Sequence, residues 1–117
     1  MTENIGSSAN LRNTERVSTR RPAKILTQDT TYEGVVINLS LEGIGILLDQ
    51  NLADGTEIKI QFSLPGYEQS STLSLSGQIV HATEVHQNFL LGVRFALLNP
   101  HAKLVITGFI NYHHRLD

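Results

Sequence analysis

Apolar and polar residues alternate with a period of two along most of the chain. In Glu57-Ile58-Lys59-Ile60-Gln61-Phe62-Ser63-Leu64 every even position is apolar and every odd one polar, the pattern of a strand with one face in a core and the other in water. Related stretches cover Ala23–Leu26, Tyr32–Asn38, Ile44–Leu48, Thr72–Val85, with a bend expected at Gly77, and Phe89–Leu97. Turn-forming residues separate them: Gln28-Asp29-Thr30, Leu41-Glu42-Gly43, Ala53-Asp54-Gly55, Pro65-Gly66 and Gln87-Asn88. Five to seven short strands with brief connections predict an all-β fold, a small antiparallel barrel or sandwich.

The period changes at Asn99-Pro100. Asn is a strong N-cap, and Pro suits the first helical position, where its missing N–H goes unused. A helix is therefore expected from about residue 100 to 115, with Leu104, Val105, Phe109 and Tyr112 forming the face that packs on the sheet and Gly108 between them. His113, His114 and Arg115 fall in its last turn, where cationic charge complements the helix dipole.

The length of 117 residues matches one domain. Residues 1–14 are too polar to join a core and read as a mobile tail. With no cysteine, a disulfide framework, a thiolate metal site and a thiol nucleophile are all excluded. The N-terminus lacks the apolar run of a secretory signal, and no segment has the roughly 20 apolar residues of a spanning helix, so a cytoplasmic location is expected.

A net charge of −2 argues against a general DNA or RNA binder, yet the charge is unevenly placed. Arg12, Arg16, Arg20, Arg21 and Lys24 stand against only Glu3 and Glu15 in the first 24 residues, whereas the remainder is acidic. The basic end is suited to meeting an anion, with a solvated basic tail as the plain alternative. Arg16 and Arg20 are four apart and point the same way in strand or helix, and Arg21 lies beside them. A guanidinium can fork onto a phosphate, take guanine O6 and N7, or stack on a purine face. A second group is Asn38-Leu39-Ser40-Leu41-Glu42-Gly43, at the end of an expected strand. Asn38 and Ser40, two apart, are expected on one side, and Gly43 would permit a left-handed turn or close ligand approach. A turn whose Asn and Ser bond to their own backbone is the alternative.

Taken together these residues resemble the PilZ family, whose signature is R-x-x-x-R followed by [D/N]-x-S-x-x-G. The match runs through Arg16-Val17-Ser18-Thr19-Arg20 and Asn38-Leu39-Ser40-Leu41-Glu42-Gly43, then Gly43-Ile44-Gly45-Ile46, Gly77-Gln78-Ile79-Val80, Gly92-Val93-Arg94-Phe95 and Phe109-Ile110. It covers about residues 15–117. Val17 stands where a second arginine often follows the first. The resemblance implies a six- to seven-stranded antiparallel β-barrel over residues 23–98, closed by a C-terminal helix at 99–115. It also implies that residues 15–22 form an arginine-rich loop over the barrel mouth.

The function so implied is that of a bacterial receptor for cyclic di-GMP, with Arg16, Arg20, Asn38, Ser40 and Gly43 at the ligand and Arg21 added from its proximity. Ligand binding would order the arginine segment and present a surface to a protein effector. A PilZ-like protein adaptor that binds no nucleotide is the alternative. An enzyme, a metal site and a resident cofactor are not expected, because the five histidines carry no ligating pattern and no Ser-His-acid arrangement is recognisable. An RNA-binding barrel is disfavoured by an aromatic content of 6% and by neutral to acidic strands.

Overall fold

A computed structural model describes residues 15–66 and 69–116 of the chain, with side chains described as far as His113. The expected tail, residues 1–14, and the side chains of His114 and Arg115 lie outside the described residues. Six strands are present: β1 (Val17–Leu26), β2 (Thr31–Leu39), β3 (Gly43–Leu48), β4 (Glu57–Leu64), β5 (Ser71–Val85) and β6 (Asn88–Phe95). They are followed by one helix, α1 (Pro100–Leu116). Every pairing is antiparallel, and the strands close into a barrel in the order β1-β2-β3-β6-β5-β4.

Two-residue alternation builds the core. On β4 the side chains of Ile58, Ile60, Phe62 and Leu64 are buried. They meet Ile25, Val36, Leu39, Ile44, Ile46, Leu73, Leu75, Ile79, Leu91 and Val93 in one hydrophobic cluster. Burial of this apolar area drives closure, at roughly 25 cal/mol for each Å² removed from water. The long β5 serves both halves of the barrel. Its first half pairs with β4 and its second with β6, and Gly77 belongs to both registers, opposite Ile58 and Phe95. The bend expected at Gly77 is thus where the strand changes partner.

Turn chemistry follows the sequence closely. Gly55 has φ 89° between β3 and β4, in the left-handed region that glycine enters without strain. The β5–β6 hairpin turns at His86, whose φ is 59°, one position earlier than the expected Gln87-Asn88. Asn99 caps α1, its Oδ1 accepting the Ala102 N–H at 2.7 Å.

Two strand boundaries and the buried face of the helix differ from expectation. β6 ends at Phe95, leaving Leu97 96% exposed. The helix buries Ala102, Ile106, Phe109 and Ile110, with Val105 partly buried, whereas Leu104 is 73% and Tyr112 49% exposed. The expected face was rotated because it passed over Ala102 and Ile106, which with Phe109 and Ile110 make the narrower stripe at 3.6-residue spacing. Lastly, β1 begins at Val17, well before Ala23. Val17 is 7% exposed, belongs to the core and pairs with Leu39, so most of the segment expected as a loop over residues 15–22 is strand.

Candidate functional site

On β1 the burial alternates without interruption, with Val17, Ala23 and Ile25 inward and Arg16, Ser18, Arg20, Pro22 and Lys24 exposed. Arg16 and Arg20 therefore share the outer face. Arg21 falls in the opposite phase, half-buried, and lines a groove of about 320 Å³ with Pro22, Gln61, Phe62 and Thr72. Proximity in sequence does not bring Arg21 to the other two.

Arg16 is held from β2. Its Nη1 donates to Asn38 Oδ1 at 2.7 Å, a charge-assisted bond that uses one of the five guanidinium N–H groups. Arg20 is exposed and has no hydrogen bond to another described residue. It sits at an irregularity where Thr19 and Arg20 together span the step opposite Ile37, between the pairs Ser18–Asn38 and Arg21–Val36.

Asn38 faces outward because of a bulge. Val36 is inward, and strict alternation would turn Asn38 inward too. Ile37 is an extra residue against β3, between the pairs Val36–Ile46 and Asn38–Gly45, and it resets the phase so that Leu39 fills the core instead. The Asn38 carboxamide then lies across Gly45, where a Cβ would sit 2.6 to 2.9 Å from Nδ2, Oδ1 and Cγ. Gly45 is bare so that Asn38 can lie down.

Ser40 is placed otherwise than expected. It is fully buried in the β2–β3 turn, and its hydroxyl donates to the Gly43 carbonyl at 3.3 Å. The same oxygen accepts the Glu42 N–H at 3.1 Å and the Gly43 N–H at 3.2 Å. One donor and two acceptor positions are engaged, so Ser40 holds the turn and does not share a face with Asn38. Gly43 differs as well. Its φ is not positive, and a Cβ would strike the Val93 carbonyl oxygen of β6. The close approach that requires glycine here is strand β6. Phe95 N–H donating to the Glu42 carbonyl at 2.9 Å ties the same turn to the end of β6.

Arg94, within the Gly92-Val93-Arg94-Phe95 segment and in neither motif, pairs with Gly43 and is exposed on β6. Strand alternation alone places it outward; only the register places it beside the motif. A wider cleft, about 1060 Å³, lies elsewhere. It is lined by Tyr32, Leu52 and Phe95 with Asp29, Glu57, Lys59 and Arg94, and by none of the expected site residues. Its mixed charges do not form an anion site, and the outer face around Arg16 and Asn38 is the better candidate.

Solved structures share this architecture. An inhibitor of motility from Bacillus subtilis (MotI/DgrA) superposes with TM-score 0.77 at 12% identity, over 89% of this chain and 52% of its own. The chain thus spans about half the length of that protein. The PilZ domain of YcgR from Escherichia coli, solved with c-di-GMP, gives TM-score 0.68 at 18% identity, covering 90% of this chain and 93% of the other. A crystal structure of YcgR in complex with c-di-GMP gives 0.73 at 22%, covering 89% and 46%. A comparison with curated proteins returned no match. The PilZ domain model matches residues 10–112, nearly the whole barrel and helix and the motif residues on its outer face, and the chain belongs to the PilZ domain family.

Proposed function

We propose that this PilZ domain is a receptor for cyclic di-GMP, acting as a binding adaptor and not as an enzyme. The observation that carries the reading is the Arg16–Asn38 bond. It holds a guanidinium on the exposed face of the barrel through one of its five N–H groups, and Arg20 stands on the same face. Two cations there are suited to two phosphates and to guanine edges. Support also comes from the E. coli YcgR structures, which hold c-di-GMP on the same fold.

Signal output is the second half of the proposal. Val17 is already anchored in the core, so the ligand-dependent ordering proposed for the arginine segment concerns the chain ahead of it. The newly formed surface then meets a protein effector in the bacterial cytoplasm. No helix among the described residues is long and apolar enough to cross a membrane.

Titration calorimetry with cyclic di-GMP at two salt concentrations tests the reading. Saturable binding that weakens with salt is expected where arginines meet phosphates. Absence of binding would leave a nucleotide-free protein adaptor. Backbone NMR of the residues preceding Val17 tests the ordering step, and spectra unchanged by saturating ligand would remove it.

A further inference from the structure

One edge of β5 is left open where the strand changes partner. β4 pairs with β5 only as far as Glu57 opposite Gln78. The turn before β4 adds two bonds, Gly55 N–H to the Ile79 carbonyl at 2.7 Å and Ile79 N–H to the Thr56 carbonyl at 2.9 Å. Residues 80–85 pair with β6 on one side and, among the described residues, with no backbone on the other. Val80 is an extra residue against β6, between the pairs Ile79–Val93 and His81–Gly92. It turns His81 out, where alternation from the buried Ile79 would bury it, and beyond it Thr83, Glu84 and Val85 are exposed as well.

Which backbone groups are free follows from the hairpin. His86 and Gln87 form a two-residue turn, so its closing pair, Val85–Asn88, is hydrogen-bonded, and bonded pairs alternate back to Thr83–Leu90. Ala82 and Glu84 therefore turn N–H and C=O away from β6, toward solvent. These groups form a template for one more antiparallel strand.

We propose that a second copy of this chain supplies that strand, β5 pairing with β5 about a twofold axis at Thr83. A twofold makes the edge its own partner, and the sequence of the edge selects the register. An axis through Glu84 sets two carboxylates opposite each other, which is unfavourable. An axis through Ala82 runs the partner's Val85 against Ile79, whose N–H and C=O are already bonded to Thr56 and Gly55. With the axis at Thr83, the partner's Val85 stops opposite His81, Glu84 faces the partner's Ala82, and the two threonines meet. Ala82 and Glu84 of each copy then bond to Glu84 and Ala82 of the other, and Val85, 37% exposed in one copy, is covered. The open length of the edge thus matches residues 81–85 of a second chain. The Val80 bulge and the Glu84 charge restrict pairing to this closed form and keep the edge from pairing without limit. The inference goes beyond the nucleotide reading and does not depend on it.

The test uses the full chain without nucleotide, so its outcome is separate from that of the cyclic di-GMP titration. Sedimentation equilibrium is expected to show a reversible dimer. Glu84→Pro removes an outward N–H that β6 does not use, a position where an edge strand tolerates proline. It is expected to weaken the dimer at least about tenfold, with the unfolding temperature of the dilute monomer almost unchanged. The chain contains no cysteine, so single cysteine variants read the register directly. Two Thr83→Cys copies place opposed Cα atoms about 4.5 Å apart, within reach of a disulfide, and mild oxidation should give a covalent dimer. Two Glu84→Cys copies are offset along the strands to about 8 Å, too far to bridge. A wild-type chain that stays monomeric up to about 1 mM, or equal crosslinking of the two cysteine variants, overturns the inference.

Discussion

Arg16 and Asn38 are 22 residues apart in sequence and are joined by a 2.7 Å hydrogen bond from Nη1 to Oδ1 on the outer face of the barrel. The bond depends on a third residue, since the Asn38 carboxamide occupies the place of a side chain on Gly45. Asn38→Ala and Gly45→Ala should both release Arg16. Each is expected to weaken cyclic di-GMP binding about tenfold, or about 1.4 kcal/mol. The double variant should be no worse than either single one, since both remove one interaction. Additive losses in calorimetry would show that the residues act separately.

The four-residue arginine spacing occurs twice, as Arg12 to Arg16 and as Arg16 to Arg20. Arg16 is common to both, so Arg16→Ala is expected to cost the most affinity. Arg20→Ala should cost about 1.5–3 kcal/mol if its guanidinium meets a phosphate. Arg21→Ala should change binding by less than about 0.5 kcal/mol, because Arg21 lies in the other phase of β1. Arg12 falls outside the described residues, and a loss on Arg12→Ala greater than that on Arg20→Ala would move the arginine pair upstream.

Ser40→Ala separates holding the turn from holding the ligand. The substitution strips the buried Gly43 N–H and the part-buried Glu42 N–H of their side-chain acceptor. A loss of about 1–3 kcal/mol of stability is expected, lowering the unfolding temperature by roughly 4–12 °C for a domain of this size. Asn38→Ala should leave that temperature almost unchanged. A Ser40→Ala variant of normal stability with abolished binding would return Ser40 to direct ligand contact.

The helix face is open to a direct comparison. Ile106 is fully buried and Leu104 largely exposed, so Ile106→Ala should destabilise by about 2–5 kcal/mol and Leu104→Ala by less than about 0.5 kcal/mol. Urea titration of the two variants reads the difference. Equal losses would restore the face expected from the sequence.

What the amino-acid sequence determined alone was local. Alternation in residues 57–64, glycine in the turn at Gly55 and the Asn99-Pro100 cap each act within a few residues, and each corresponds to a strand, a turn or a helix start in the structure. The motif spacing also pointed to the family through Arg16, Asn38, Ser40 and Gly43. The division of labour among those four residues was decided by tertiary structure. Which side of a strand a residue faces beyond a bulge depends on the register with its neighbours, and the extra residues Ile37 and Val80 are recognisable only against β3 and β6. That pairing turns Asn38 and His81 outward, sets Arg94 beside Gly43 and leaves the Ser40 hydroxyl bonded within its turn. Period-two patterning records which residues prefer the core, whereas long-range backbone hydrogen bonding chooses their partners. The site is therefore a property of the closed barrel, built from residues whose types the sequence displays and whose meeting it does not.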